Sequence, residues 1–191
     1  MKSVEPPQIS RSSGQPWPLS VEAYHVLGEA GLIPKDTELL YGFVYKKVSK
    51  SPVHSSLVTR FVRLLQAALP SGWLMRSEQP ITCADSEPEP DVAVIRGSEE
   101  DFWNEHPKTA ELVIEICVSN SDYDRSKLRA YATAKVKEVW LVLVPERQIE
   151  VHRQPARGTY AQRRVCGPGG RLTCASFPAF SVDLKSFFSR T

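Results

Sequence analysis

Glu115 stands alone among apolar side chains in Leu112-Val113-Ile114-Glu115-Ile116-Cys117-Val118, the most apolar run of the chain. In a strand buried on both faces, an unpaired ionised carboxylate is costly. A cation or a proton must relieve that cost, and either outcome is characteristic of a functional site. Asp91 is a parallel case: it follows Pro90 at the head of Asp91-Val92-Ala93-Val94-Ile95, where a strand enters the body. Adjacent strands would bring the two carboxylates side by side, where they repel. A hard divalent cation such as Mg²⁺ turns that repulsion into coordination, because it takes one or two carboxylates and fills its shell with water and phosphate oxygens. Such an ion activates water and stabilises charge developing on a phosphate.

Lys127 is the third candidate, in Asp124-Arg125-Ser126-Lys127-Leu128-Arg129-Ala130-Tyr131, on the helix expected directly after the Glu115 strand. At i, i+4 spacing Lys127 and Tyr131 share one helix face and can point at one neighbour. A lysine there is a compact charge suited to orienting water or neutralising a phosphodiester transition state. The plainer reading is a surface lysine paired with Asp124. His54 is expected in the first turn of its helix, where the macrodipole disfavours the imidazolium and leaves a neutral ring able to meet a metal or a phosphate-linked water. A hydrogen-bonded histidine of the helix start is the alternative. Glu38 and Glu78 are candidates for an outer metal shell or a substrate contact, with Tyr131.

The elements that must position these residues can be read from pattern. Ser20 offers a cap to a short helix ending near Gly28 or Gly31. From Thr37 to Lys46, apolar and aromatic residues alternate in a strand-favouring stretch. Ser51-Pro52 marks a helix start, and Leu57, Phe61, Leu64, Leu65 and Ala68 carry its amphipathic face toward Pro70. Strand-like pieces follow at Trp73–Ser77, Gln79–Cys83 and Asp91–Ile95, then the buried run Leu112–Val118. Ser121 with Asp124 is expected to cap the next helix in a variant capping box. Val139–Val144 reads as a second buried strand ended by Pro145, and residues 147–175 as a β-meander broken by Gly and Pro. The tail FPAFSVDLKSFF is expected to pack back on the body.

Composition narrows the class without deciding it. The 191 residues suit one domain over 19–191, preceded by a flexible arm over 1–18 rich in Pro, Ser and Gln. No apolar run has the length of a membrane span, and no apolar segment follows Lys2 as in a secretory signal, so the expected location is cytoplasmic. The net charge of +2 does not advertise a polyanion partner, so any phosphate-binding surface must be a local patch. Cys83, Cys117, Cys166 and Cys174 form no C-x-x-C pair, and with the four histidines they give no zinc spacing. Free buried thiols are expected, with a cross-strand Cys166–Cys174 bond as the alternative.

The order SKSPVHSSL, EPEPDVAVI and LVIEICVSNSDYDRSKLRAYATAKVKEVWLV resembles a bacterial family of restriction-endonuclease-like proteins in the PD-(D/E)XK nuclease superfamily. The likeness runs from about Leu19 to the terminal DLKSFF. It implies an α/β fold with a restriction-endonuclease-like α/β/α core, a mixed sheet flanked by helices and a C-terminal β-meander, and Mg²⁺-dependent phosphodiester hydrolysis, with Mn²⁺ able to substitute. Pro90-Asp91 matches the motif's PD and Glu115 its second acid, and the Ile116 carbonyl is implied as a further metal ligand. Cys117 holds the place of the motif lysine and cannot supply its charge. In this family the lysine appears on the next helix, which Lys127 matches. His54 matches the histidine after Ser-Pro, and Glu38 an acid on the first strand. Tyr41-Gly42-Phe43 stands where relatives have an Asp-Gly-Glu turn, and Val144-Pro145 where they often have Asp-Pro. Neither departure touches the metal ligands; turn geometry and substrate choice are what they bear on.

The expected function is therefore a Mg²⁺-dependent endonuclease acting on nucleic acid, with DNA the favoured polymer. The alternative is a non-catalytic nucleic-acid-binding or interaction protein that keeps the fold. Phosphate contacts are expected from Lys46, Lys47 and Lys50, or from Arg147, Arg153, Arg157, Arg163 and Arg164 on the meander. A homodimer would suit an enzyme that cuts both strands.

Overall fold

Glu115 lies in a strand, Leu112–Cys117, buried at every position. Its side chains alternate between two cores, which is what the apolar run requires of a strand with helices on both sides. The computed structural model describes residues 15–189. Of the arm expected over 1–18, residues 1–14 lie outside that range; residues 15–18 have no helix or strand, and Trp17 is exposed.

Helix α1 (Val21–Glu29) starts at Ser20, whose hydroxyl accepts from the Ala23 amide at 3.1 Å. The alternating stretch from Thr37 proves to be two strands, β1 (Thr37–Leu40) and β2 (Phe43–Lys46), paired antiparallel in a sheet of their own. Tyr41 and Gly42, at φ 55° and 80°, make the turn. Two consecutive positive φ values are the signature of the tight hairpin turn that matches strand twist. Helix α2 (Pro52–Gln66) has the expected cap: Ser51 Oγ accepts from the His54 amide at 3.2 Å.

Strands β3 (Trp73–Ser77), β4 (Val92–Arg96), β5 (Leu112–Cys117), β6 (Glu138–Leu143), β7 (Gln148–Ala156) and β8 (Thr159–Cys166) form one six-stranded sheet in that order. All pairs are antiparallel except β5–β6, which is parallel because helix α3 (Asp122–Thr133) crosses between them. The first two strands of the expected meander thus continue the central sheet, while its third piece, at Leu172, leaves the sheet and pairs with the tail. The expected strand Gln79–Cys83 does not form. Pro80 removes a donor, and the Ile81 and Thr82 amides bond instead to the Pro88 and Pro107 carbonyls. Ser121 does not cap α3; it is already in the helical region, and the Asp122 amide bonds to Asn120 Oδ1 at 2.8 Å.

Two cores separate by strand parity. Val92, Val94, Leu112, Ile114, Trp140 and Val142 face α2, whose Leu57, Phe61 and Leu65 they bury. Ala93, Ile95, Val113, Cys117, Val139 and Leu141 face α3, with Ala130 and Tyr131. The tail adds β9 (Arg171–Thr173), β10 (Ser181–Asp183) and α4 (Leu184–Phe187), and its Phe177, Phe180, Val182, Leu184 and Phe187 join the α2 core as expected. All four cysteines are free and buried.

Candidate active site

Parity puts Glu115 on the α3 side of β5, together with Val113 and Cys117. Asp91 stands one residue ahead of β4 and beside it. One Asp91 oxygen, Oδ2, accepts from the Ile116 amide at 2.7 Å; the other, Oδ1, lies 3.0 Å from His54 Nε2. The Asp91 amide lies 3.4 Å from Glu115 Oε2. The two carboxylates are thereby fixed by backbone, at the open end of the β4–β5 pair. His54 reaches them from the first turn of α2, and its Nδ1 is buried without a partner.

Lys127 is not the surface residue of the plainer reading. It is 4% exposed, and its ammonium lies 3.2 Å from Glu38, 3.4 Å from Glu115 and 3.9 Å from Asp124. One turn along α3, the Tyr131 hydroxyl donates to the same Glu115 Oε1 at 2.6 Å. The i, i+4 pair does converge on one neighbour. Glu38 in turn accepts from the Tyr123 hydroxyl at 2.8 Å and from the Glu89 amide at 3.1 Å.

Burial pushes the Glu115 carboxyl well above the usual range; Lys127 pulls it down, and Asp91 and Asp124 push it further up. Asp124 is raised for the same reason, against the pull of Lys127. Burial alone would lower Lys127, but the carboxylates of Glu115, Glu38 and Asp124 more than reverse this and hold it charged. The Tyr131 phenol is held protonated by burial and by the neighbouring Glu115. One ammonium among three carboxylates leaves negative charge that a proton or a second cation must answer.

The cleft in front of these groups encloses about 370 Å³. Six carboxylates line it (Glu38, Glu78, Glu89, Asp91, Glu115 and Asp124) against three lysines (Lys47, Lys50 and Lys127), and Ile116 and His54 are also at its wall. Lys47 pairs with Glu89 at 2.7 Å, and Lys50 with Glu78 at 2.5 Å across the rim. Glu38 is bound up with Lys127 and Tyr123 on the inner side, while Glu78 is a rim residue.

The remaining cations expected to meet phosphate are elsewhere. Lys46 pairs with Asp36, and none of the five meander arginines lines the cleft. Arg153 and Arg163 are committed to the buried carboxylates Glu138 and Glu150, each at 2.7 Å. Pattern reading passed over Tyr123 and gave Asp124 only the parts of a cap and a surface partner. Its i, i+3 spacing from Lys127 was the one available signal.

Among the described residues no group of three or more His, Cys, Asp and Glu side chains has the arrangement of a ready-made metal cage. A cage is what zinc or calcium demands; Mg²⁺ is commonly held by one or two carboxylates and water. The donor set Asp91, Glu115 and a backbone carbonyl is of that kind, and the buried His54 Nδ1 near it has no hydrogen-bond partner among the described residues.

A crystal structure of a putative nuclease belonging to DUF820 from Anabaena variabilis is similar to this chain, with a TM-score of 0.75 over 90% of this chain and 98% of that one, at 17% identity. That likeness shows the mixed-sheet α/β fold. No curated protein matches the chain. Residues 30–185 match the Uma2 family of putative restriction endonucleases, a span that runs from the β1–β2 hairpin through the cleft to α4, and the chain belongs to that family.

Proposed function

We propose that this protein is a Mg²⁺-dependent endonuclease of the PD-(D/E)XK kind, hydrolysing phosphodiester bonds of nucleic acid, with DNA as its polymer. The observation that carries the reading is the convergence of Asp91, Glu115 and Lys127 from three elements onto one cleft with a surplus of carboxylates. Asp91 and Glu115 would hold the ion, with the Ile116 carbonyl beside them. When bound, the ion lowers the pKa of a water and neutralises charge developing on the phosphate.

The chain's own residues supply the rest. The Ile116 amide fixes one Asp91 oxygen and so orients the carboxylate. Tyr131 holds Glu115 Oε1 from behind, which leaves Oε2 as the oxygen nearer Asp91. Lys127, kept charged by its three carboxylates, would place the attacking water or the scissile phosphate. Glu38, through Lys127 and Tyr123, is a positioning residue. The His54 ring closes the cleft on the α2 side and can accept a hydrogen bond at Nδ1 when Nε2–H donates to Asp91.

The test is direct. Supercoiled plasmid, single-stranded DNA and RNA are incubated separately with the protein and Mg²⁺ or Mn²⁺, with EDTA as control. Metal-dependent nicking that disappears in Asp91→Ala and Glu115→Ala is the expected result. Cleavage absent with every polymer and either metal, or equal in both variants, would overturn it.

A further inference from the structure

A cleft lined by six carboxylates and three lysines is a poor place to gather a polyanion. If the cleft cuts nucleic acid, most of the binding energy must come from another surface. The outer side of α2 offers one. A groove of about 740 Å³ lies between α2 and the tail elements β9, β10 and α4. Its charge is the reverse of the cleft's: Arg60, Arg63 and Arg171 against Asp183 alone. Asp183 is occupied, capping α4 through the Ser186 amide at 2.9 Å. Arg60 is tied to the Phe187 and Ser189 carbonyls, which fixes that wall. Among the described residues neither Arg63 nor Arg171 has a carboxylate within ion-pair distance; Arg171 hydrogen-bonds to the Ser181 hydroxyl at 3.2 Å and stands opposite Asp183 across the β9–β10 pair.

The groove and the cleft share no lining residue but meet at successive residues of the first turn of α2. His54 lines the cleft and Ser55 the groove, and Ser55, Thr59 and Arg63 follow at i, i+4, i+8 down one face of α2. From His54 to Arg63 the helix rises about 14 Å and turns by about 180°, so Arg63 stands on the side of α2 away from the cleft. Along the axis of a duplex that rise corresponds to about four base-pair steps. Hydroxyls and guanidinia at this pitch are the groups that contact phosphate and sugar without reading bases. We infer that this groove anchors the sugar-phosphate backbone of the substrate a few nucleotides from the cut, on the α2 side. The inference rests on the nuclease reading of the cleft. It makes the site bipartite, with an acidic cutting end and a basic holding end.

The experiment separates binding from cutting. Anisotropy of a fluorescein-labelled oligonucleotide, as duplex and as single strand, is titrated with protein in EDTA over a series of salt concentrations. The proteins are wild type, Asp91→Asn, the reversal Arg63→Glu/Arg171→Glu and the milder Arg63→Gln/Arg171→Gln. Asp91→Asn is expected to bind at least as well as wild type while losing cleavage. The reversal is expected to weaken binding roughly tenfold or more near 0.1 M salt, and both double variants to flatten the log–log salt slope by up to about two. Thermal melting and Mn²⁺ calorimetry on the double variants check that fold and cleft are intact. Unchanged affinity and slope in both double variants overturn the groove. So does arginine-dependent binding of anionic vesicles or phosphopeptides with none of the oligonucleotide. Cleavage by Asp91→Asn instead overturns the cleft, so the two failures read differently.

Discussion

Lys127 Nζ lies 3.4 Å from Glu115 Oε1, inside the protein and shared with Glu38 and Asp124. Removing this ammonium while keeping the stem, as in Lys127→Met, leaves buried carboxylates with no cation. Breaking a buried pair from one side costs about 3–5 kcal/mol. We expect the urea midpoint of Lys127→Met to fall accordingly, and part of the loss to be recovered on adding Mn²⁺. Cleavage should vanish although metal binding persists. A midpoint equal to wild type would show that Lys127 does not neutralise the cluster.

Glu115→Gln makes the opposite change. It removes one charge from the crowded side of the cluster and keeps an acceptor for the Tyr131 hydroxyl. Lys127 retains Glu38 and Asp124. Stability should match or exceed wild type, since functional groups of this kind are held at a cost to the fold. The calorimetric heat of Mn²⁺ binding should disappear. A retained heat would remove Glu115 from the metal site.

Much of this could be read from the residues. Glu115 declares itself because a carboxylate interrupts a run that is buried at all positions of β5. Ser20 and Ser51 announce α1 and α2 because caps are local chemistry. What escapes is what other elements supply. Taken on its own helix Lys127 reads as a surface lysine paired with Asp124, because its other two partners, Glu38 and Glu115, come from β1 and β5. The β1–β2 turn escapes the alternation, which continues straight through Tyr41-Gly42, and only the family likeness marks a turn at these positive φ values. The meander arginines read as phosphate contacts for a similar reason. Glu150 alternates with Ile149 and Val151 as a solvent-facing residue would, but α3 covers its face of the sheet with Arg125.

Glu150 carries a pH prediction of its own. Burial alone would raise its carboxyl, but hydrogen bonds from Arg163, Arg125 and His152 overcome this and hold it well below the ordinary value of 4.5. A depressed folded pKa contributes stability that is complete above the unfolded value and is lost as pH falls through the folded one. Wild type should therefore lose stability progressively below about pH 4.5, and Glu150→Gln should lose less of its own over the same window. At pH 7 the variant should be less stable by about 1–2 kcal/mol, a modest figure because the Arg163 end is solvated. Urea titrations of both proteins at pH 7 and pH 3 measure the difference. Parallel losses would remove the Glu150 network from the acid response.

Gly42 links the hairpin to the chemistry. At its φ of 80°, an added Cβ would stand 2.3 Å from Pro18 Cβ and 3.1 Å from the Leu19 carbonyl oxygen. Gly42→Ala must therefore both strain the turn and displace the segment that crosses it, at a cost of about 1–3 kcal/mol. For a chain of this size that lowers Tm by roughly 3–10 °C. The damage should not stay local, because β1 carries Glu38 on to Lys127 and Tyr123. Gly42→Ala should reduce kcat more than KM, and its effect should overlap with that of Glu38→Gln. In a double-mutant cycle the pair should couple by about 0.5 kcal/mol or more, where independent sites would add. Strict additivity in both Tm and kcat would mean that the turn supports the fold without setting Glu38, and that the Glu38–Lys127 contact is positioned by α3 alone.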